Sequence, residues 1–434
     1  MNGPIDADDI LVSRAGEDGD FRERLLRNPG ETVEKELGVT LPEDHEIHVH
    51  EETYTRTHVV LPPRDRFSEA EREAARTGGA SLEFLRRTLH DPAPPLRPAA
   101  PRQEEVRSSG GAGSEALAQA AREGIRRGLA FVESTIDKNG AWHCIRFNVA
   151  DPDIPRHFER PPFVSALCAL ALESSDEPRA RAIRTATKAY LIDTIEYPGL
   201  WRYYRHLPPD LDSTSLCSMV VGMHPWIWLG RNVPGILANR DEEGRFMTWV
   251  LQEGEPDVVS PFRIEADPVV NANVIAWLGD RPETRDARRW LEVLVTDGSL
   301  EGSSKWYPDT VAIYHAIARA MVRAKPALDP LRPILADRIL GLRDRKGGFG
   351  NVLQTAQAVS ALYDVGSLGR IDAMREVEGL MNWQRGDGSW PELLAFGDQS
   401  LKWGVVGQIG HGSEAVTSAF CIEALERLLE VLRA

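Results

Sequence analysis

Residues 213–223 read STSLCSMVVGM, a stretch apolar on nearly every side. A helix of that pattern asks to be buried on both faces rather than to show one face to water. The loop before it, HLPPDLD (206–212), is rich in proline and aspartate. Five further segments share this layout of turn-rich loop then apolar helix: PFVSALCALAL (162–172), PVVNANVIAWLG (268–279), DTVAIYHAIARAMV (309–322), NVLQTAQAVSALY (351–363) and SEAVTSAFCIEALERLL (413–429). Their starts recur at roughly 40–60 residues, the spacing of a helix-pair array. Between them lie polar-backed, amphipathic helices at 114–136, 177–196, 282–296, 329–343 and 370–383, with a short one expected near 245–253. Six inner and six outer helices predict a mainly α protein, an (α/α)6 toroid over residues 114–434. The alternative is an open solenoid of helical hairpins.

Bulk composition narrows the function classes. The chain has 434 residues, 42% of them apolar, and a net charge of −15. No basic excess exists to meet phosphates, so nucleic acid is not an expected partner. No run of about 18 apolar residues occurs, so no transmembrane helix is expected. The opening MNGPIDADDI is acidic and lacks the apolar core of a secretory signal. Cys144, Cys168, Cys217 and Cys421 show no CxxC spacing and read as reduced thiols of a cytoplasmic protein.

Residues 1–63 form a separate small α+β unit. Phe21, Leu25 and Leu26 share a helix face, Asn28-Pro29-Gly30 breaks it, and a second helix runs to Gly38. HEIHVHEETYTRTHVVLPP (45–63) alternates like a strand pair. His45, His48 and His50 fall in it as surface residues rather than metal ligands. Residues 64–113 follow as a charged helix and then a Pro-rich and Gly/Ser-rich linker, DPAPPLRPAAPRQEEVRSSGGAGSE from 91 onward. The segment DGDFRERLLRNPGETVEKELG…LPP resembles the nitrile-hydratase-type leader peptides of ribosomal peptide precursors, with Gly16 where that family carries Trp. The resemblance implies a docking module that engages a protein partner through residues 1–63.

QRGDGSW (384–390) resembles the Gln-x(2–5)-Gly-x-Trp repeat of squalene cyclases and protein prenyltransferase β subunits, and RDRKGGFG (343–350) and DKNGAW (137–142) are degraded copies. Glycine permits the tight turn and the aromatic stacks over a helix end, which is a stabilising device rather than chemistry.

Asp210 and Asp212 then admit two readings. Either caps the helix that follows, since an Asp at that position accepts a hydrogen bond from a free backbone N–H. Alternatively, close carboxylates cannot both ionise cheaply, so one becomes an acid. PPDLDSTS resembles the Asp-x-Asp-Asp-Thr-Ala motif of class II terpene cyclases, with Ser213 in place of the third Asp. That resemblance implies Asp212 as the general acid that protonates an alkene, Asp210 as its partner and Thr214 as a hydrogen-bonding support. The implied substrate is an isoprenoid of secondary metabolism. A carbocation needs aromatic faces; Trp201, Tyr203, Tyr204, Trp226, Trp306 and Tyr307 are candidates to line the cavity, and each is equally compatible with core packing. Asn271 and His411, at other inner-helix starts, are further candidates for substrate binding, and equally for caps. Arg156, Arg160, Arg202 and Arg205 would hold a diphosphate, with Mg²⁺ on the acidic cluster, if the substrate carries one. Two other functions stay open: a non-catalytic or peptide-modifying toroid in a leader-guided ribosomal-peptide pathway, and a prenyltransferase-like enzyme. For the latter the Asp-x-Cys zinc element is missing, and no protein metal site is expected.

Overall fold

The computed structural model describes residues 14–15, 18–37, 47–49, 113–149, 154–197, 199–205, 207–222, 224–228, 231–251, 265–344, 348–398 and 409–433. The chain divides into two units, 1–63 and 64–434.

In the first unit, α1 (Gly19–Arg27) starts at Asp18, whose side chain accepts from the Phe21 N–H. Helix α2 (Pro29–Leu37) follows directly, with proline at the position where a missing N–H costs nothing. Phe21, Leu25 and Val33 form a small core with Ala15, and Ile47 and Val49 pack against it. The expected strand pair falls mostly outside the described residues, and Ile47–Val49 are irregular. The charged helix and linker expected over 64–113 also lie outside them, except residue 113, which opens the helix that follows.

The second unit is an (α/α)6 toroid. The inner helices are α4 (Pro162–Ala171), α6 (Leu211–Val221), α8 (Pro268–Leu278), α10 (Thr310–Arg323), α12 (Val352–Asp364) and α14 (Glu414–Arg433). Each packs on the next, and α14 packs back on α4, which closes the ring and removes the open-solenoid alternative. The outer helices are α3 (Gly113–Thr135), α5 (Pro178–Asp193), α7 (Asn232–Ala238), α9 (Arg285–Asp297), α11 (Arg332–Gly341) and α13 (Arg370–Asn382). Inner helices are buried nearly all round: every residue of α6 but one is buried. Outer helices bury a single stripe, as Ala287, Leu291 and Val295 do in α9.

One expectation is corrected. The short third outer helix is not at 245–253 but at Asn232–Ala238. Residues 246–250 instead run extended. Val250 N–H donates to Pro209 O, Leu211 N–H to Thr248 O and Thr248 N–H to Glu265 O. These bonds brace the loop that carries Asp210.

Among the described residues a turn recurs at four places between the outer and inner layers. Asp137, Glu196, Asp241 and Arg385 each donate their N–H to the carbonyl four residues on, and each accepts at its own carbonyl from the glycine three residues on. Those glycines, Gly140, Gly199, Gly244 and Gly388, all have φ between 78° and 109°. Two residues later comes a buried aromatic: Trp142, Trp201, Phe246 and Trp390. Its backbone N–H is caught by a side chain of the next inner helix: Ser165, Thr214, Asn271 and Ser418 at 2.9, 3.1, 2.8 and 3.1 Å. The Gly-x-aromatic repeat is thus a latch that joins each loop to the helix it precedes.

A four-stranded antiparallel sheet, unforeseen from the sequence, sits at the helix-start end. Its order is β2-β1-β4-β3, with β1 Cys144–Asn148, β2 His157–Glu159, β3 Phe396–Asp398 and β4 Ile409–Gly412. Arg146 faces His411 across β1 and β4.

Candidate active site

Asp210 and Asp212 separate into different jobs. Asp210 is the N-cap of α6: its Oδ1 accepts from the Ser213 N–H at 2.6 Å and its Oδ2 from the Tyr203 N–H at 3.1 Å. Burial pushes its pKa to about 6, against those bonds. Asp212, two residues on, caps nothing. Its Oδ1 accepts from Asn273 Nδ2 at 2.7 Å and its Oδ2 from the Tyr307 hydroxyl at 2.8 Å. It is 7% exposed. Burial raises its pKa to about 7; the two donors pull downward, and the nearby Asp210 and Asp267 push up again. The result is a carboxyl whose proton is held more tightly than an ordinary aspartate's, with one acceptor site on each oxygen filled by a donor that favours the anion once the proton leaves.

Asp267 resembles Asp210 in duty. It caps α8 through Val269 N–H and accepts from Ser304 Oγ and Lys305 N–H at its other oxygen. Asp309 and Asn351 likewise cap α10 and α12. Asp210, Asp267 and Asp309 are therefore spent chiefly on backbone donors. Among the described residues, no group of three or more His, Cys, Asp or Glu is placed to hold a metal ion. The described carboxylates at the helix starts, taken up by the donors just named, do not fit a protein-held Mg²⁺ site.

The barrel axis carries a small cavity between the inner helices, with water-accessible space of about 20 Å³, room for about one water molecule. Asn273 and Tyr307 line it, so the two partners of Asp212 stand between its carboxyl and the axis. Farther along α10, His315 and Arg319 line it too, with Gln357 of α12 and Phe420 of α14.

The structure brings several of the candidate residues into one aromatic group. Tyr203 packs edge-on to Tyr204 and His411, with ring centres 4.5 and 5.5 Å apart. Phe396, not picked out from the sequence, stacks on His411 at 5.0 Å and approaches Tyr307 at 6.5 Å. Phe163, also missed, contacts Phe396 at 4.9 Å and Tyr203 at 5.6 Å. Its place at the start of an apolar inner helix was the available signal. Beneath this group the Tyr204 hydroxyl donates to Glu159 at 2.5 Å, and His411 Nε2 lies 3.3 Å from Tyr204 and 3.6 Å from Glu159. Burial would raise Glu159, but His411, Arg146 and Tyr204 outweigh it and hold the carboxylate at about 2.

Other candidates go elsewhere. Trp201 is fully buried behind the latch, its indole donating to Leu191 O on α5. Thr214 bonds the Trp201 backbone, not Asp212. Asn271 is consumed by Phe246, accepting from its N–H and donating to its carbonyl. Trp306 donates to Glu265 at 2.7 Å, packs edge-on to Trp249 at 5.8 Å, and has the Lys305 ammonium 4.0 Å from its ring centre. The Trp226 side chain lies outside the described residues. Arg156, Arg160 and Arg202 do not converge: they pair with Glu392, Asp137 and Glu196 respectively. Arg205 is exposed.

Comparison with solved structures places this architecture. The type II terpene cyclase MstE from Scytonema superposes with a TM-score of 0.57 at 17% identity, covering 72% of this chain and 99% of the cyclase. The toroid has the class II terpene cyclase fold. A variant of that cyclase in complex with geranylgeranyl dihydroxybenzoate, its substrate, matches at a TM-score of 0.56. A protein from Actinoplanes matches at 0.58 with 16% identity, over 71% of this chain and 99% of its own. No family model matches the chain, and no curated protein does. No described helix is long and apolar enough to cross a membrane.

Proposed function

We propose that the toroid is a protonation-initiated isoprenoid cyclase in which Asp212 is the general acid. The observation that carries the reading is the Asp212 carboxyl: buried, raised to about 7, and bonded by Asn273 and Tyr307 beside the barrel axis. An ordinary aspartate, with a pKa of about 3.9, is about 0.1% protonated at pH 7; this one, raised to about 7, holds its proton far more often. Burial keeps it protonated, while the two donors stabilise the carboxylate left after transfer, so the acid is both populated and willing.

In the reaction the Asp212 O–H bond breaks and the π electrons of a terminal alkene form a C–H bond with that proton. A tertiary carbocation remains on the neighbouring carbon. Each following alkene supplies its electron pair to a new C–C bond and passes the cation along the chain. Loss of a proton from a carbon next to the last cation restores an alkene, and water reprotonates the carboxylate. The net change is an isomerisation. The rings of Tyr203, Phe163, Phe396 and Tyr307 offer the π faces that a cation in a dry site needs. Admission of the chain requires the side chains now filling the axis to part, because ligand sites usually enclose about 300–1,000 Å³. The solved cyclase whose substrate is geranylgeranyl dihydroxybenzoate supports an isoprenoid as the substrate class.

The test is to incubate wild type and Asp212→Asn with linear isoprenoids, their acids, aryl conjugates and diphosphates, and to look for isomeric cyclised products by mass spectrometry. The reading expects a product from wild type that the variant fails to make. Wild type leaving every substrate unchanged, with circular dichroism showing it folded, contradicts the reading.

A further inference from the structure

His411, in β4, is a buried ring with one nitrogen unused. Its side chain is 9% exposed. Its Nδ1 is buried and has no hydrogen-bonding partner among the described residues, whereas a buried polar atom is normally satisfied.

The bonds on the other side of the ring set its tautomer. A tyrosine hydroxyl has one proton to give. That of Tyr204 goes to Glu159, at 2.5 Å. Toward His411 Nε2, 3.3 Å away, the same oxygen can therefore only accept, and Nε2 carries the hydrogen. Arg146, 3.2 Å from Glu159, already balances the carboxylate. The ring needs no charge of its own, and Nδ1 is left with a bare lone pair. The carboxylates that border the same group are engaged: Asp210 by the Ser213 and Tyr203 N–H groups, Asp212 by Asn273 and Tyr307, and Glu159 by Tyr204.

Position adds to this. Phe396 stacks on the His411 ring at 5.0 Å with the planes 7° apart, and Tyr203 meets it edge-on at 5.5 Å. Phe396 reaches on to Tyr307, the donor to Asp212, at 6.5 Å. Ala395, whose N–H donates to the His411 carbonyl at 2.8 Å, lines the axial cavity. The π faces suited to a cation and the unused lone pair are thus neighbours.

We infer that His411 is the base that ends the reaction. Its Nδ1 takes the proton from a carbon next to the last cation, and the C–H electron pair becomes the new double bond. The imidazolium left behind lies 3.6 Å from the Glu159 carboxylate and returns its proton to water. Glu159 and Tyr204 act as positioning residues that keep the hydrogen on Nε2. The inference rests on the cyclase reading for the reaction itself.

The test reads the product rather than the rate. Wild type, H411F and H411A, each shown folded by circular dichroism, are given the linear isoprenoid that wild type cyclises. Without the base the cation must lose a different proton or take up water. The wild-type alkene should therefore fall at least about tenfold relative to isomeric alkenes and the hydrated alcohol. Added imidazole should restore the wild-type alkene to H411A, which a merely structural role for the ring would not allow. Nitrogen NMR of histidine-labelled wild type, with the His411 signals assigned by their loss in H411F, should show Nε2 protonated and Nδ1 bare. Wild type that cyclises nothing removes the acid and the base together. Cyclisation with the wild-type product ratio kept in H411F, no response of H411A to imidazole, or a hydrogen found on Nδ1 instead of Nε2 removes the base alone and leaves the acid standing.

Discussion

Asp212→Asn should stabilise the protein while removing its acid, and by an amount that grows with pH. The folded-state pKa is about 7, against about 3.9 for an ordinary aspartate. A group raised in this way stabilises the fold fully below its unfolded pKa, and that contribution is lost as pH rises through the folded one. Between about pH 4 and 7 the folded chain holds a proton that the unfolded chain has released. Stability therefore falls by about 1.4 kcal/mol per pH unit in that window. Near pH 5 the loss is about 1–2 kcal/mol; from pH 8 upward the full shift of about three units amounts to about 4 kcal/mol. Asparagine has no charge to bury, and its amide can still bond Asn273 and Tyr307 because the hydroxyl is free to turn. Urea unfolding of wild type and variant at pH 5.0, 6.5 and 8.5 measures the difference directly. The variant's advantage should increase by about 2–3 kcal/mol across the series. An advantage that stays flat with pH, or a variant less stable at pH 8.5, would refute the raised pKa and with it the populated acid.

Tyr307→Phe removes one donor to the Asp212 carboxylate; the acid weakens, and kcat should fall roughly tenfold with the midpoint of the pH–rate profile moved up by about one unit. Asn271→Ala orphans the buried N–H and C=O of Phe246, so it should cost about 2–4 kcal/mol in denaturant unfolding without moving that midpoint. Gly140→Ala places a methyl 2.3 Å from the Ala186 carbonyl at a φ of +89°; a drop of at least ~2 kcal/mol in unfolding free energy is expected.

The inner helices were legible because burial on both sides writes itself into the sequence: α8 and α12 carry apolar residues where an outer helix would carry charge, and their ends fall within two residues of expectation. The latch was half legible. Gln384–Trp390 announced it, yet GLW at 199–201 and GRF at 244–246 form the same turn without its glutamine, and only glycine and aromatic persist because only they are demanded by backbone and packing. The third outer helix was misplaced because GRFMTWVL has apolar residues that suit either period, and pairing with residues 209–211 and 265 decided for the extended form. The sheet was not legible at all. IGHG has no strand character of its own, and its pairing with residues 145–148 depends on chain more than 260 residues away. The same holds for the acid. Asp212 could be singled out locally, but its donors lie 61 and 95 positions on.

The central claim is that a proton from Asp212 starts the reaction, and a turnover in D₂O tests it most directly. An isoprenoid cyclised by wild type should carry one non-exchangeable deuterium on the carbon that was the terminal alkene, one mass unit above the product formed in H₂O, and Asp212→Asn should yield no labelled product. A cyclised product without that deuterium, or labelled product from the variant at an undiminished rate, would contradict the account.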